Sequence, residues 1–533
     1  MSVRSYSGRA LLAMALLGTP PTYAAGQPTH QALESITEAE LRDHIFFLAS
    51  DRLQGRDTGS DGYQLAADYA AIHLDQAGLE AMYVDSTGSP SYFQQIQFGT
   101  STLNSETSLS FAIGGRERDL VRGEDFVIQE FLASGADRST TEAPVFLGYG
   151  IEEPTLGWND YEDLDAEGRI GVMVVGAPLR NGEPILPQEQ HQLYSSLQRS
   201  ANARFQAAMN HGVTTLVVVL DSASTSLWEL IRSQANTPSV KPLVQESETG
   251  APGPAFSELV LLRPESATEL LADVGFNPLT ETGEYVTGIM EEVQVSLHTR
   301  HTVEPAYSSP NVVGLLPGTD PVLKDEYVVV TAHLDHVGIQ DGAIFNGADD
   351  NASGSAAVLE AAEAAGMAPG KRSLIFVLLT AEEKGLLGSQ AFAATPPIPM
   401  EQIVLNINLD MVGRNSPDFP HVLLAMASET GRSALLQMIR EVNESGVGAP
   451  LDWRLNEGPD PHAHVQRSDQ MSFMQKGVPA ILITRGFMGP DYHEPSDDPE
   501  TINYEKVVHA ARLTFALAME VADREDVTFG ARR

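Results

Sequence analysis

Cysteine is absent from all 533 residues. That excludes disulfides, thiolate metal sites and cysteine nucleophiles, and it leaves imidazole and carboxylate as the means of holding a transition metal. It does not exclude export, since a periplasmic protein can do without disulfides. Lysine is nearly missing, with Lys241, Lys324, Lys371, Lys384, Lys476 and Lys506 as the whole complement. Lysine and arginine total 33 against 72 acidic residues, a formal charge of −39. So acidic a surface repels phosphate backbones and argues against a nucleic-acid partner. Carboxylates around a metal account for only a handful of these charges, and the rest read as a solvated surface suited to salt. Beyond the first residues no run has the length and apolarity of a membrane-spanning helix. Internal repeats and low-complexity tracts are lacking as well.

What is present describes a globular chain: 42% hydrophobic and 20% charged residues, with a length that suits two or three domains of roughly 150 residues. Arg4 and Arg9 precede a short apolar run, Ala10–Gly18, and Thr22, Ala24 and Ala25 offer small residues for cleavage. Residues 1–25 are therefore expected to be a signal peptide of a secreted or periplasmic bacterial protein, with no membrane span after its removal.

Two amphipathic helices are predicted next, one from Glu38 and one from Tyr63 to Ala77 with Leu65, Ala66, Tyr69, Ala70 and His73 on or near one face. The glycine-rich turn Gly55–Gly62 separates them. From about Glu142 to Asn277 the rhythm changes to short β-branched strands (Val145–Ile151, Ile170–Gly176, Val213–Asp221) around a helix near Ser200–His211. This suggests a small α/β domain over 141–285, inserted between 32–140 and 286–533 of the main domain. From Ser308 onward apolar strands at Tyr327–Thr331, Ser373–Thr380, Ile403–Leu409, His421–Ala427 and Ala480–Thr484 alternate with helices at Ser353–Ala365, Gly385–Ala394, Gly431–Ser445 and Tyr504–Val521. The fold class expected is α/β, a mostly parallel mixed sheet covered by helices on both faces. Ligands in such sheets sit beyond the carboxyl ends of the strands.

At those ends the sequence places acids and histidines. YVVVTA runs into His333-Leu334-Asp335-His336; residues two apart on an extended chain share a side, so Asp335 can support the His333 ring. Taken alone, H-x-D is a common surface pair. Asp349 and Asp350 stand before an alanine-rich helix, where Asp, Asn and Ser are ordinary caps, but one of the two aspartates could bridge two metal ions while its neighbours cap the helix. Glu382 and Glu383 follow a fully apolar strand. Adjacent residues point in different directions, so the pair can supply both a metal ligand and a general base, although acids also favour a helix N-terminus for electrostatic reasons. Asp410 ends the strand IVLNINL, and His493 lies in the loop after AILIT. Five separate segments each delivering a ligand-type side chain point to a metal centre.

The order H-L-D, D-D-N-A-S-G, E-E, N-L-D-M and Y-H-x-P-x-D, with LASDRLQGRDTGSDG (Leu48–Gly62) and NVVGLLPGTDP (Asn311–Pro321), closely resembles the co-catalytic zinc aminopeptidases that include secreted bacterial leucyl aminopeptidases. The GYGI and IGVMVVG stretches resemble the protease-associated domain inserted in such enzymes, so the likeness covers nearly the whole mature chain. The resemblance implies two zinc ions per chain: one on His333 and Asp410, one on Glu383 and His493, with Asp350 bridging. It also implies Glu382 as general base and Asp335 as the partner of His333. One departure is Gln470, in Arg467-Ser468-Asp469-Gln470, where the family often has histidine; it leaves the ligands untouched and bears on the substrate pocket. The implied activity is hydrolysis of N-terminal residues from peptides with a free amine. A zinc carboxypeptidase or an aminoacyl cyclase fits the same scaffold. The first needs a basic group for the substrate carboxylate, for which Arg414 and Arg485 are candidates, though each could equally be a sheet-edge ion pair. The second works with one zinc. A non-catalytic binding module is a third class, and it predicts lost ligands where this chain keeps them all.

Overall fold

The computed structural model describes residues 27–529 apart from 131–136, 181–182, 222–223, 225–227, 230, 233–238, 244–257, 273, 280–285, 416–421, 458–463, 487–488, 490 and 528. The predicted signal peptide lies outside the described residues.

The main sheet is built from β1 (Glu80–Ala81), β2 (Phe93–Leu103), β3 (Ser239–Pro242), β4 (His301–Leu316), β5 (Tyr327–His333), β6 (Ser373–Leu379), β7 (Ile403–Leu409), β8 (Leu423–Ala427), β9 (Leu451–Asp452) and β10 (Ala480–Thr484). Their order is β3-β2-β4-β6-β5-β7-β10-β8-β9, with β1 paired to β4. The central strands β6, β5, β7 and β10 are parallel. Outward from them β4, β2, β3 and β8 join antiparallel. The expected parallel arrangement thus holds at the centre, while antiparallel strands build most of the flanks.

The central strands are buried almost throughout because both faces are covered. Their side chains alternate between two cores. Val328, Val330 and Ala332 pack with helices α1 (Glu38–Leu48), α2 (Asp61–Gln76), α3 (Gly354–Met367) and α5 (Tyr504–Asp523). Val329 packs on the other side with Phe473 and with Phe392 of helix α4 (Leu387–Ala394). Full burial of each of these valine and phenylalanine side chains contributes about 1.5–3 kcal/mol.

Capping explains where these helices begin. Thr37 accepts from the Glu40 N–H at the start of α1, Ser60 from Tyr63 at α2, and Asn503 from Lys506 at α5. On α2 the buried stripe is Tyr63, Ala66, Ala67, Ala70 and Leu74; Leu65, expected near it, is 40% exposed because the stripe passes to one side of it.

A second α/β unit carries its own cores. Its sheet runs in the order Gly288–Ile289, Val145–Phe146, Ile170–Val174, Thr215–Val219, Glu258–Leu262 and Phe126–Glu130, parallel in the middle and antiparallel at both edges. The sheet thus draws strands from either side of 141–285. A smaller antiparallel sheet packs on it through Leu109, Phe111, Val295 and Leu297, which share a core with Phe146, Val172 and Val217. Among the described residues no helix is long and apolar enough to cross a membrane.

Candidate metal centre

Because β5, β6, β7 and β10 are parallel, their carboxyl ends open on one side of the sheet. His333 is the last residue of β5, Glu382 and Glu383 lie just beyond β6, Asp410 just beyond β7, and His493 in the loop after β10. Asp350 precedes α3. The chain turns sharply to make these deliveries: Ala381, Met411 and His493 all have left-handed backbones, at φ 55°, 55° and 52°. Such conformations cost roughly 1–2 kcal/mol each in a non-glycine residue and collect at functional sites.

All the predicted site residues converge. His333 Nε2 lies 3.3 Å from Asp410 Oδ1 and 3.4 Å from Asp350 Oδ1. Across the centre His493 Nε2 lies 3.3 Å from Asp350 Oδ2 and 3.0 Å from Glu383 Oε2. Asp350 therefore turns one oxygen to each histidine. Two groups of ligand atoms result: His333, Glu382 and Asp410 in one, and His336, Asp350, Glu383 and His493 in the other, with the atoms of each group within 4.8 Å of one another.

The supporting contacts fix these carboxylates from behind. The backbone N–H groups of Asp349 and Asp350 donate to the Asp497 carboxylate at 3.0 and 3.1 Å. Asp335 is fully buried and accepts from the Glu382 N–H at 3.1 Å, the Glu383 N–H at 3.4 Å and the Thr58 hydroxyl at 3.0 Å. Its carboxylate is 3.9 Å from His333 Nδ1, whereas its backbone carbonyl is only 3.2 Å away. Asp335 thus supports the ring chiefly through its main chain, and its carboxylate holds the Glu382–Glu383 turn.

Electrostatics follow from burying so many acids together. Burial raises the Glu382 carboxyl well above its ordinary range; Glu383, Asp410 and Asp469 add to the effect and His333 opposes it. Asp350 moves well below the usual range, because hydrogen bonds from His333 and His493 outweigh its burial. His493 is raised to about 10 against its burial by Asp350 and Glu383. Among the described residues, the ion pairs of Asp350, Glu383 and Asp410 are with imidazoles only. Buried carboxylates in this number need more positive charge than imidazoles bring. A donor set of imidazole nitrogens and carboxylate oxygens suits divalent zinc, so the residues fit the metal.

Several contributors carried no assignment from sequence. His336 was visible only as the last letter of H-L-D-H. Asp469 is fully buried near the centre, with its carboxyl raised to about 7 by burial first and by Asp335 and Asp410, against His333. Gln470, at the departure from the family pattern, faces the sheet: it accepts from Asn408 Nδ2 at 2.8 Å and donates to the Val465 carbonyl at 2.8 Å. The two arginines are both engaged. Arg485 is buried against Asp349 and Asp491, and Arg414 pairs with Asp491 at 2.9 Å and Asp497 at 3.4 Å.

Residues 311–518 match the model of Peptidase family M28. A probable leucine aminopeptidase of Arthroderma otae is 26% identical over 261 residues, covering 47% of this chain and 68% of that protein. Aminopeptidase YwaD of Bacillus subtilis is 27% identical over 224 residues, 41% of this chain and 46% of that one. Among solved structures, an aminopeptidase from Aneurinibacillus sp. strain AM-1 aligns over 95% of this chain and 98% of its own, at 19% identity and a TM-score of 0.46.

Proposed function

We propose that this peptide hydrolase, whose residues 311–518 match the model of Peptidase family M28, is an aminopeptidase working with two zinc ions. His333 and Asp410 would hold one ion and Glu383 and His493 the other, with Asp350 offering an oxygen to each. The observation that carries this reading is the split of the Asp350 carboxylate, with Oδ1 toward His333 and Oδ2 toward His493. Zinc held there would supply Lewis acidity for the scissile carbonyl and make water a stronger acid.

The chain's own residues do the rest. Glu382 lies with His333 and Asp410 and makes no ion pair among the described residues, so its carboxylate is placed to take a proton from the attacking water and return it to the leaving amine. Asp335 fixes the backbone N–H groups of Glu382 and Glu383 and so aims that carboxylate. The excess of buried acids draws the positively charged α-amine of a peptide N-terminus. A carboxypeptidase would want a free cation for the opposite end, and Arg414 and Arg485 are committed to aspartates. The second α/β unit is the counterpart of a protease-associated insert, and the basic and apolar start of the chain directs export to the periplasm or medium.

The test is metal content measured with hydrolysis of amino-acid anilides and of N-blocked peptides with free carboxyl ends. Two zinc per chain with cleavage confined to free-amine substrates is the expected result. One zinc, or digestion of blocked peptides from the carboxyl end, overturns the reading.

A further inference from the structure

His336 belongs to the same cluster but has no part in the function proposed above. It is completely buried, and its Nδ1 lies 2.9 Å from Glu383 Oε1 and 3.9 Å from Asp350 Oδ2. Those are the two carboxylates that His493 faces from the other side, at 3.0 and 3.3 Å. The rings of His336 and His493 stand 5.5 Å apart and nearly perpendicular, at 78°. The far nitrogen of His336, Nε2, has no hydrogen-bond partner in the structure, so the ring's polar engagements are on the carboxylate side alone. Its position is tightly built. Gly347 has φ 58°, and a Cβ there would come within 2.5 Å of the His336 ring. The His336 N–H is held by the Arg56 carbonyl at 3.2 Å. The turn after β5 is what brings the ring inward, and the glycine leaves room for it.

We propose that His336 is an additional zinc ligand, sharing one metal with Asp350, Glu383 and His493, and that the two sites are consequently unequal. The inference rests on the two-zinc reading. One site has two imidazoles and two carboxylates, a full tetrahedral set of the kind that closed zinc sites use. The other has one imidazole, His333, with Asp410 and the second oxygen of Asp350, which leaves it room for water and substrate. Zinc favours imidazole donors, so the His336 site fills first and holds its ion longer.

The experiment starts from the full chain stripped of metal with a chelator and then given zinc. At one equivalent, X-ray absorption at the zinc edge counts imidazoles per metal. Two imidazoles per zinc is the expected result; one imidazole overturns the proposal. Calorimetric titration of the parent should show two separated binding steps, and His336→Gln should weaken the tighter step by about 10-fold or more and leave the weaker one in place. Two unchanged steps in a folded His336→Gln variant also overturn the proposal. Uptake of a single zinc by the parent chain would instead refute the two-zinc reading, and the imidazole count on that one ion would still decide the role of His336. The parent measurement stands even if the variant does not fold.

Discussion

The guanidinium of Arg485 is sealed against the carboxylate of Asp349 directly behind Asp350, with neither side chain exposed to solvent. Asp349 also accepts from the backbone N–H groups of Gly413 at 2.6 Å and Arg414 at 3.0 Å, and Arg485 reaches Asp491 at 3.0 Å. The pair thus ties the start of α3 to the ends of β7 and β10. Removing one partner of a buried pair leaves the other charge uncompensated, at a cost of about 3–5 kcal/mol. Arg485→Met should destabilise the protein by that amount in urea unfolding, and adding Asp349→Asn should recover part of the loss. A cost below 1 kcal/mol would mean that the pair does not hold the centre together.

Glu382 is the residue whose removal should separate chemistry from binding. Its side chain lies with His333 and Asp410, but none of the assigned zinc positions depends on it alone. Glu382→Gln should keep its metal and its fold while kcat drops by about 10²–10⁴-fold. Metal analysis alongside steady-state kinetics checks both halves. Loss of zinc in this variant would make Glu382 a ligand rather than a base.

The central strands are legible because each is a continuous apolar run, and the structure returns Ile403–Leu409 and Ala480–Thr484 at the expected limits. The antiparallel flanks are not, since the pairing of Lys241 with Gly99 joins segments far apart in the chain and leaves no local signal. At the site, the ligand-type residues were readable as strand-end acids and histidines. The role of their neighbours was not. Alternation along an extended strand put Asp335 beside the His333 ring, yet β5 ends at His333 and the chain turns there. That turn sends the Asp335 carboxylate to the backbone of Glu382 and Glu383 and swings His336 inward, and a rule of period two does not describe a turn. The commitment of Arg485 to Asp349 was equally invisible, because nothing in a lone arginine names its partner.

Metal should also hold the fold together. Without it, the buried Asp350 and Asp410 and the half-buried Glu382 and Glu383 face one another, and among the described residues the ion pairs of Asp350, Glu383 and Asp410 are with imidazoles. Zinc bound to the native state alone stabilises it by mass action, by about 2.7 kcal/mol when free metal is 100 times its Kd. Chelation should therefore abolish peptidase activity and lower Tm, with both restored by zinc. A Tm insensitive to chelator would show that the carboxylates are accommodated without metal.

Far from the centre, His73 on α2 lies edge-on to His44 at 4.7 Å and against Tyr69 at 4.3 Å, beside the buried pair of His44 and Glu360. Burial first, and then His44, holds its imidazole down to about 4. In the unfolded chain a histidine titrates near 6.5, so between those values the unfolded state takes up a proton that the folded state refuses. The contribution is present in full above pH 6.5 and is lost as pH falls toward 4. Buried carboxyls such as Asp335, raised to about 6 mainly by burial, respond in the opposite sense, so the informative quantity is the difference between parent and variant. His73→Asn should gain stability relative to the parent as pH falls from 6.5 to 4 and show a flat difference above that window. Its slope should stay below the roughly 1.4 kcal/mol per pH unit of one full proton, because the ring is only half-buried. Unfolding midpoints of both proteins across that range measure the difference, and a flat line throughout would show that His73 titrates alike in both states.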